Sequence, residues 1–170
     1  LYIPPAKGRT HILRLIREAL YFQPEKPGTN IGAALDFANQ VISRRAIVFL
    51  VSDFCPGPPF EEKLAGLRKK LRITGKHHDV IAVSVTDPRE AELPDVGRIC
   101  VEDAESGQVI EIDTGKKKVR DAYRDQSTDR RTRTAAAIRS AGVDLLEFTN
   151  GENWLPELVA EPVQQDEERR

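Results

Sequence analysis

The sequence predicts a three-layer α/β domain with a mostly parallel sheet and an added β-hairpin. Three observations predict this fold: apolar segments that suit buried strands, segments of helical periodicity between them, and Gly and Pro residues at the junctions. The chain has 170 residues, of which 39% are hydrophobic, which is enough for one domain with its own core. We expect this domain over residues 1–160 and a disordered polar tail over residues 161–170.

The first half of the chain is predicted to alternate helices and strands. Residues 1–5 have the composition of a strand end that two prolines stop, and a helical stripe follows over residues 8–20 with Thr10 as its N-cap. Asn30 is placed to cap a second helix. The continuously apolar residues 46–52 then predict a strand that is covered on both faces of a parallel sheet.

The second half continues this order and adds a hairpin. A helix is predicted over residues 60–73 and a strand over residues 79–85. Alternating apolar and polar residues on both sides of "AESG" predict the β-hairpin. A long polar helix over residues 116–141 ends at Gly142, and we expect its middle to be exposed and frayed. A buried strand over residues 143–148 and a short helix at "NWLPELV" complete the prediction.

Charge and composition exclude several classes of protein. The 26 Lys and Arg residues balance 27 Asp and Glu residues, so the chain has no overall basic field for nucleic acid. No apolar run approaches the roughly 20 residues that span a bilayer, and no signal-peptide pattern is present. Cys55 and Cys100 do not make a disulfide framework, so we expect a cytoplasmic protein. The absence of methionine predicts that the sequence is a segment of a longer chain.

Polar residues follow the predicted parallel strands at one edge of the sheet. Asp53 follows one buried strand, and Asp87 follows the next. Because ligand crevices in such folds lie beyond the carboxyl ends of the strands, we expect both acids at one site, together with Thr29 from a preceding loop. Asp87, Arg89 and Glu90 form a charged group at that edge, which either contacts a partner or pairs only with its neighbours.

Cysteine and histidine residues are further candidate site residues. Cys55 lies close to Asp53 in sequence, but no Cys-x5-Arg phosphate loop follows it, so we interpret it as a structural thiol. His77 and His78 precede their strand and lie at the opposite edge of the predicted sheet. Adjacent residues at a strand start point to opposite faces, so we predict a surface role for this pair rather than metal binding.

Several segments resemble known domains. "GTNIGAAL" and "IVFLVSDF" resemble the second and third metal-binding loops of von Willebrand factor type A domains. "HHDVIAVSVTDPREAELPDVG", "VEDAESGQVIEIDT" and "AGVDLLEFT" resemble more closely a bacterial branch known as domain of unknown function 58, which is commonly associated with MoxR-type AAA+ ATPases. The similarity runs from Leu1 to about Leu158. It implies a Rossmann-like von Willebrand A-type fold.

The resemblance also implies a metal-ion-dependent adhesion site. In von Willebrand A-type domains this site binds Mg²⁺ through an Asp-x-Ser-x-Ser loop, a threonine and a further aspartate, and the latter two correspond to Thr29 and Asp53. No Asp-x-Ser-x-Ser sequence occurs in the 170 residues. We therefore expect that the first strands of the domain are missing and that Thr29 and Asp53 alone hold no tight metal ion.

The missing first strand has a structural consequence. In the family it pairs with the strand that corresponds to residues 46–52, so its loss predicts an open apolar sheet edge. We expect the chain to form a homodimer through this edge, or residues 1–3 to shift over it.

Three hypotheses about function follow. In the first, the chain is a protein-interaction module and not an enzyme, with Mg²⁺ at the site of the intact domain and a MoxR-type ATPase as partner. In the second, it is a hydrolase or phosphotransfer domain that uses Asp53 at the strand end. In the third, it is a structural scaffold with an unused ancestral metal site.

Overall fold

The computed structural model of the protein describes residues 1–23, 29–102, 107 and 109–151, without the side chains of Arg89 and Glu102. Contacts divide the chain into two units, one of Leu1–Thr29 with Glu102–Val109 and one of Asn30–Val101 with Ile110–Arg170. Within the described ranges, no helix is both long and apolar enough to cross a bilayer. The predicted "NWLPELV" helix, the tail over residues 161–170 and most of the "AESG" turn lie outside them.

The first unit contains one helix, α1 (Arg9–Tyr21). The helix begins after Gly8, whose φ of 102° is the left-handed conformation that glycine tolerates and whose carbonyl accepts hydrogen bonds from the amides of His11 and Ile12. The predicted cap at Thr10 is therefore wrong, because Thr10 lies inside the helix. The predicted strand end at residues 1–5 is also wrong, since these residues belong to no strand.

The remaining elements alternate helices and strands. In chain order they are α2 (Ile31–Val41), β1 (Ile47–Ser52), α3 (Phe60–His77), β2 (Asp79–Thr86), α4 (Pro88–Ala91), β3 (Arg98–Glu102), β4 (Val109–Asp113), α5 (Lys117–Ser140) and β5 (Asp144–Thr149). β1, β2 and β5 form a parallel sheet in the order β1-β2-β5, and β3 and β4 form a separate antiparallel pair. These elements confirm a mixed α/β fold with a parallel sheet and a hairpin.

The core of the second unit lies between the parallel sheet and helices α2, α3 and α5. Its centre is a cluster of buried side chains from all three helices and the sheet: Leu35, Leu67, Leu71, Val80, Ala82, Ile138 and Val143. Val48 and Leu50 of β1 pack against this cluster. Ile47, Phe49 and Val51 point to the other face of β1 and remain exposed, so the prediction that this strand is covered on both faces is wrong.

Local sequence signals explain several helix ends. The side chain of Asn30 accepts a hydrogen bond of 2.9 Å from the amide of Ala33, which confirms the predicted N-cap of α2. Gly142 has a φ of 78° and ends α5, also as predicted. Helix α5 runs unbroken from Lys117 to Ser140, and its middle over residues 124–133 is largely exposed, as predicted.

His78 differs from its prediction as well. Helix α3 extends to His77, further than predicted, and His78 is its C-cap. The side chain of His78 is only 3% exposed, and within the described residues neither ring nitrogen has a hydrogen-bond partner. The predicted surface role is therefore wrong for His78, although His77 is exposed.

Candidate functional site

A cavity of about 320 Å³ opens at the carboxyl ends of β1 and β2. One wall comes from residues that end or follow these strands, namely Asp53, Phe54, Cys55, Ser84, Thr86 and Asp87. The opposite wall comes from α5, between Tyr123 and Ile138. Parallel α/β sheets bind ligands beyond the carboxyl ends of their strands, so the cavity occupies the position where a site is expected.

The turn after β1 positions Asp53 in the cavity wall. Phe54 has a φ of 48°, a left-handed conformation that costs a non-glycine residue about 1–2 kcal/mol. Its ring is only 3% exposed and belongs to the core, which holds the turn in place. The Asp53 Oδ1 atom accepts hydrogen bonds from the Ser52 hydroxyl at 3.1 Å and from the Cys55 amide at 3.3 Å. These bonds fix one carboxylate oxygen.

Asp87 and Glu90 lie in the same lining, after β2 and in α4. The side-chain amide of Asn150, which follows β5, donates to Asp87 at 3.4 Å, so groups beyond the ends of β2 and β5 meet here. The Tyr123 hydroxyl donates to the backbone carbonyl of Glu90 at 3.0 Å and thereby ties α5 to α4. The side chain of Arg89, the third member of this predicted charged group, lies outside the described part of the structure.

The wall contributed by α5 was missed by the sequence prediction. Arg130 and Arg131 line the cavity, and the Arg130 guanidinium lies 6.0 Å from the centre of the Phe60 ring. Arg133 lies over the same ring at 5.3 Å and forms an ion pair with Glu61. The signal in the sequence was the polar run "RDQSTDRRTR", but a solvated helix face has the same composition. Only its packing beside the strand ends distinguishes the two.

The residues described do not fit the implied Mg²⁺ site. Asp53 lines the cavity and Thr29 does not. Among the residues that the structure describes, no three His, Cys, Asp or Glu side chains are placed to hold one metal ion. A single carboxylate with one oxygen already hydrogen-bonded is a poor donor set for a cation that prefers six oxygen ligands.

Comparison with known proteins shows to which family the chain belongs. Residues 1–133 match the family described as "Protein of unknown function DUF58". The chain belongs to the DUF58 family. The DUF58 match includes the cavity wall at the strand ends and the first part of α5, up to Arg133.

The chain is also similar to uncharacterized mycobacterial proteins. The chain is 31% identical over 160 residues to an uncharacterized protein of Mycobacterium bovis and to one of Mycobacterium tuberculosis, covering 92% of this chain and 48% of each relative. It is 28% identical over 158 residues to an uncharacterized protein of Mycobacterium avium, covering 91% of this chain and 89% of that protein. The chain thus spans about half the length of the first two relatives. No solved structure matches it.

Proposed function

We propose that this DUF58 chain is a protein-interaction module that binds its partner at the carboxyl-edge cavity. The observation that carries the proposal is the lining of this cavity, which combines charged groups of both signs with the partly exposed apolar side chains of Pro56, Phe60 and Leu145. Apolar surface supplies binding free energy, and charges at the mouth supply specificity and a fast association rate. A concave surface of this kind suits a protruding segment of another protein.

The lining favours binding over catalysis. Nucleophilic catalysis by a Ser, Thr or Cys side chain needs an adjacent base, most often histidine. Among the described residues that line the cavity there is no histidine. This observation disfavours a histidine-assisted Ser, Thr or Cys nucleophile, and we propose a module without catalytic turnover.

The resemblance noted in the sequence supports finer proposals. We propose that the chain is part of a three-layer von Willebrand A-like domain, that it acts in the cytoplasm, and that its partner is a MoxR-type AAA+ ATPase. We propose Mg²⁺ only for an intact domain that supplies the Asp-x-Ser-x-Ser loop, because among the described residues no group of three His, Cys, Asp or Glu side chains is placed to hold a metal ion.

A second candidate function rests on the position of Asp53. This carboxylate lies directly after a parallel strand and lines a cavity, with one oxygen fixed by the Ser52 hydroxyl and the Cys55 amide. An ordered strand-end carboxylate is a suitable acceptor for a phosphoryl group. The second candidate is therefore a hydrolase or phosphotransfer domain that uses Asp53.

One experiment separates the two functions. Binding of a MoxR-type ATPase, the proposed partner, is measured by biolayer interferometry with Asp53→Ala and with Asp79→Ala, an exposed acid at the other end of the sheet. We expect Asp53→Ala to weaken binding at least tenfold and Asp79→Ala to leave it unchanged. Equal binding by both variants would contradict the interaction proposal. A hydrolysis rate on acetyl phosphate that Asp53→Ala abolishes would establish the second function.

A separate proposal concerns the outer edge of β1. This strand pairs with β2 on one side only, and its outward side chains Ile47, Phe49 and Val51 are exposed. An apolar edge strand with unpaired backbone groups is a template for pairing with another strand. A twofold axis would bring the same edge of two copies together, so we propose that β1 pairs with β1 of a second copy.

A further inference from the structure

The charged groups of the cavity are sorted by sign onto its two walls. Asp53, Asp87 and Glu90 belong to the wall formed by the strand ends and α4, and Glu147 lines the cavity from β5. Arg130 and Arg131 belong to the wall formed by α5. The apolar side chains of Ala135, Ile138 and Leu145 also line the cavity, so the two signs share one concave surface with an apolar component.

These opposite charges do not neutralise one another. Other charged residues nearby are already paired: Glu147 with Arg139 at 2.8 Å, and Arg133 with Glu61. Within the described part of the chain, no ion pair joins Arg130 or Arg131 to a carboxylate of the cavity lining. Of the six charged residues in the lining, Asp87 is hydrogen-bonded to Asn150 and Glu147 is paired with Arg139, whereas Asp53, Glu90, Arg130 and Arg131 face the cavity with their charges available to a ligand.

We infer that the cavity takes a bipolar peptide segment, in which a basic residue and an acidic residue are neighbours. The basic side chain faces Asp53 and Glu90, and the acidic side chain faces Arg130 and Arg131. A ligand with only one charge would satisfy one wall and leave the other wall partly desolvated without a counter-charge, which is unfavourable. The inference rests on the proposed interaction function and names the chemistry of the partner segment.

The two walls also differ in how they would hold such a segment. The Arg130 guanidinium is planar and already lies over the Phe60 ring. This contact limits the orientations of the guanidinium, so that less conformational freedom is lost when it forms a bidentate contact with a carboxylate. The Asp53 carboxylate is fixed by its turn and offers its second oxygen to an ammonium or guanidinium group. The cavity volume of about 320 Å³ is at the lower end of the range for ligand pockets, which suits a short segment rather than a large cofactor.

The test uses three capped peptides that differ only in charge: acetyl-Gly-Lys-Glu-Gly-amide, the same peptide with Gln for Glu, and the same peptide with Gln for Lys. Binding to the full 170-residue chain is measured by NMR titration at low salt, where screening is weakest. We expect the Lys-Glu peptide to bind at least fivefold more tightly than either singly charged peptide. The shifted resonances are expected at the cavity residues.

Paired substitutions assign each charge to its wall. The double variant Arg130→Gln/Arg131→Gln is expected to remove the preference for Glu and to retain the preference for Lys. The double variant Asp53→Asn/Glu90→Gln is expected to do the reverse. The matched controls are Arg68→Gln/Lys69→Gln and Glu62→Gln/Asp79→Asn, whose exposed residues lie outside the lining, and they should keep both preferences.

Any other result of these experiments contradicts either the bipolar segment or the proposed partner. Equal binding of the three peptides, binding of none of them, or preferences that the cavity variants do not change would overturn the bipolar segment. If the ATPase still binds through Asp53 in that case, the interaction function stands and only the ligand chemistry fails. If the peptides bind as expected but the ATPase does not, the proposed partner fails instead.

Discussion

Strands β1 and β2 look alike in sequence but have different environments in the sheet. Both are rich in Val, Ile and Ala or Leu, and they pair in parallel with Val51 opposite Val83. Val83 in the central strand is 5% exposed, whereas Val51 in the edge strand is 63% exposed. A central strand has a neighbour on each side, and an edge strand has only one. The same residue type is therefore buried in β2 and leaves apolar surface exposed in β1.

The largest expected effect compares this register pair directly. Val83→Ala removes buried methyl groups and should lower the free energy of unfolding by about 2 kcal/mol. Val51→Ala removes the same groups from an exposed position and should change it by less than about 0.5 kcal/mol. Urea denaturation followed by circular dichroism measures both. Equal losses would show that the outer side of β1 is covered in solution and would remove the contrast between the strands.

A smaller effect is expected at the junction of α3 and β2. Burial of His78 without a hydrogen-bond partner among the described residues carries a desolvation cost that an apolar side chain would avoid. His78→Leu should therefore raise the free energy of unfolding by about 1 kcal/mol. The exposed neighbour provides the control, because His77→Leu should leave stability within about 0.5 kcal/mol. A loss of stability in His78→Leu would mean that the imidazole has a partner in solution.

The smallest effect on stability and the clearest effect on association are expected at the centre of the β1 edge. Phe49 is 55% exposed, so Phe49→Lys should alter the free energy of unfolding by less than about 0.5 kcal/mol. A charge at an edge strand opposes strand pairing between copies. We therefore expect the unsubstituted chain to be a dimer and the Phe49→Lys variant to be a monomer. Sedimentation velocity measures this. A monomeric parent chain would contradict the proposed dimer.

The candidate site was predicted in part from the order of strands and acids. Because parallel strands end at one edge, the sequence was sufficient to place Asp53 and Asp87 at that edge, and both line the cavity. It was not sufficient for Arg130 and Arg131, since their approach to the strand ends depends on how a 24-residue helix packs across the sheet. The roles of Thr29, Asp53, Asp87, Arg89 and Glu90 remain predictions.

The sequence by itself determined most of the helices and strands and two of the helix ends. Apolar runs specify the parallel strands, and Asn30 and Gly142 specify helix ends, because caps act through hydrogen bonds and backbone conformations within a few residues. Tertiary structure alone decided which apolar residues are buried and which polar residues meet. Burial depends on neighbours that are distant in sequence, as the contrast between Val51 and Val83 shows. The burial of His78 and the charged walls of the cavity have the same origin.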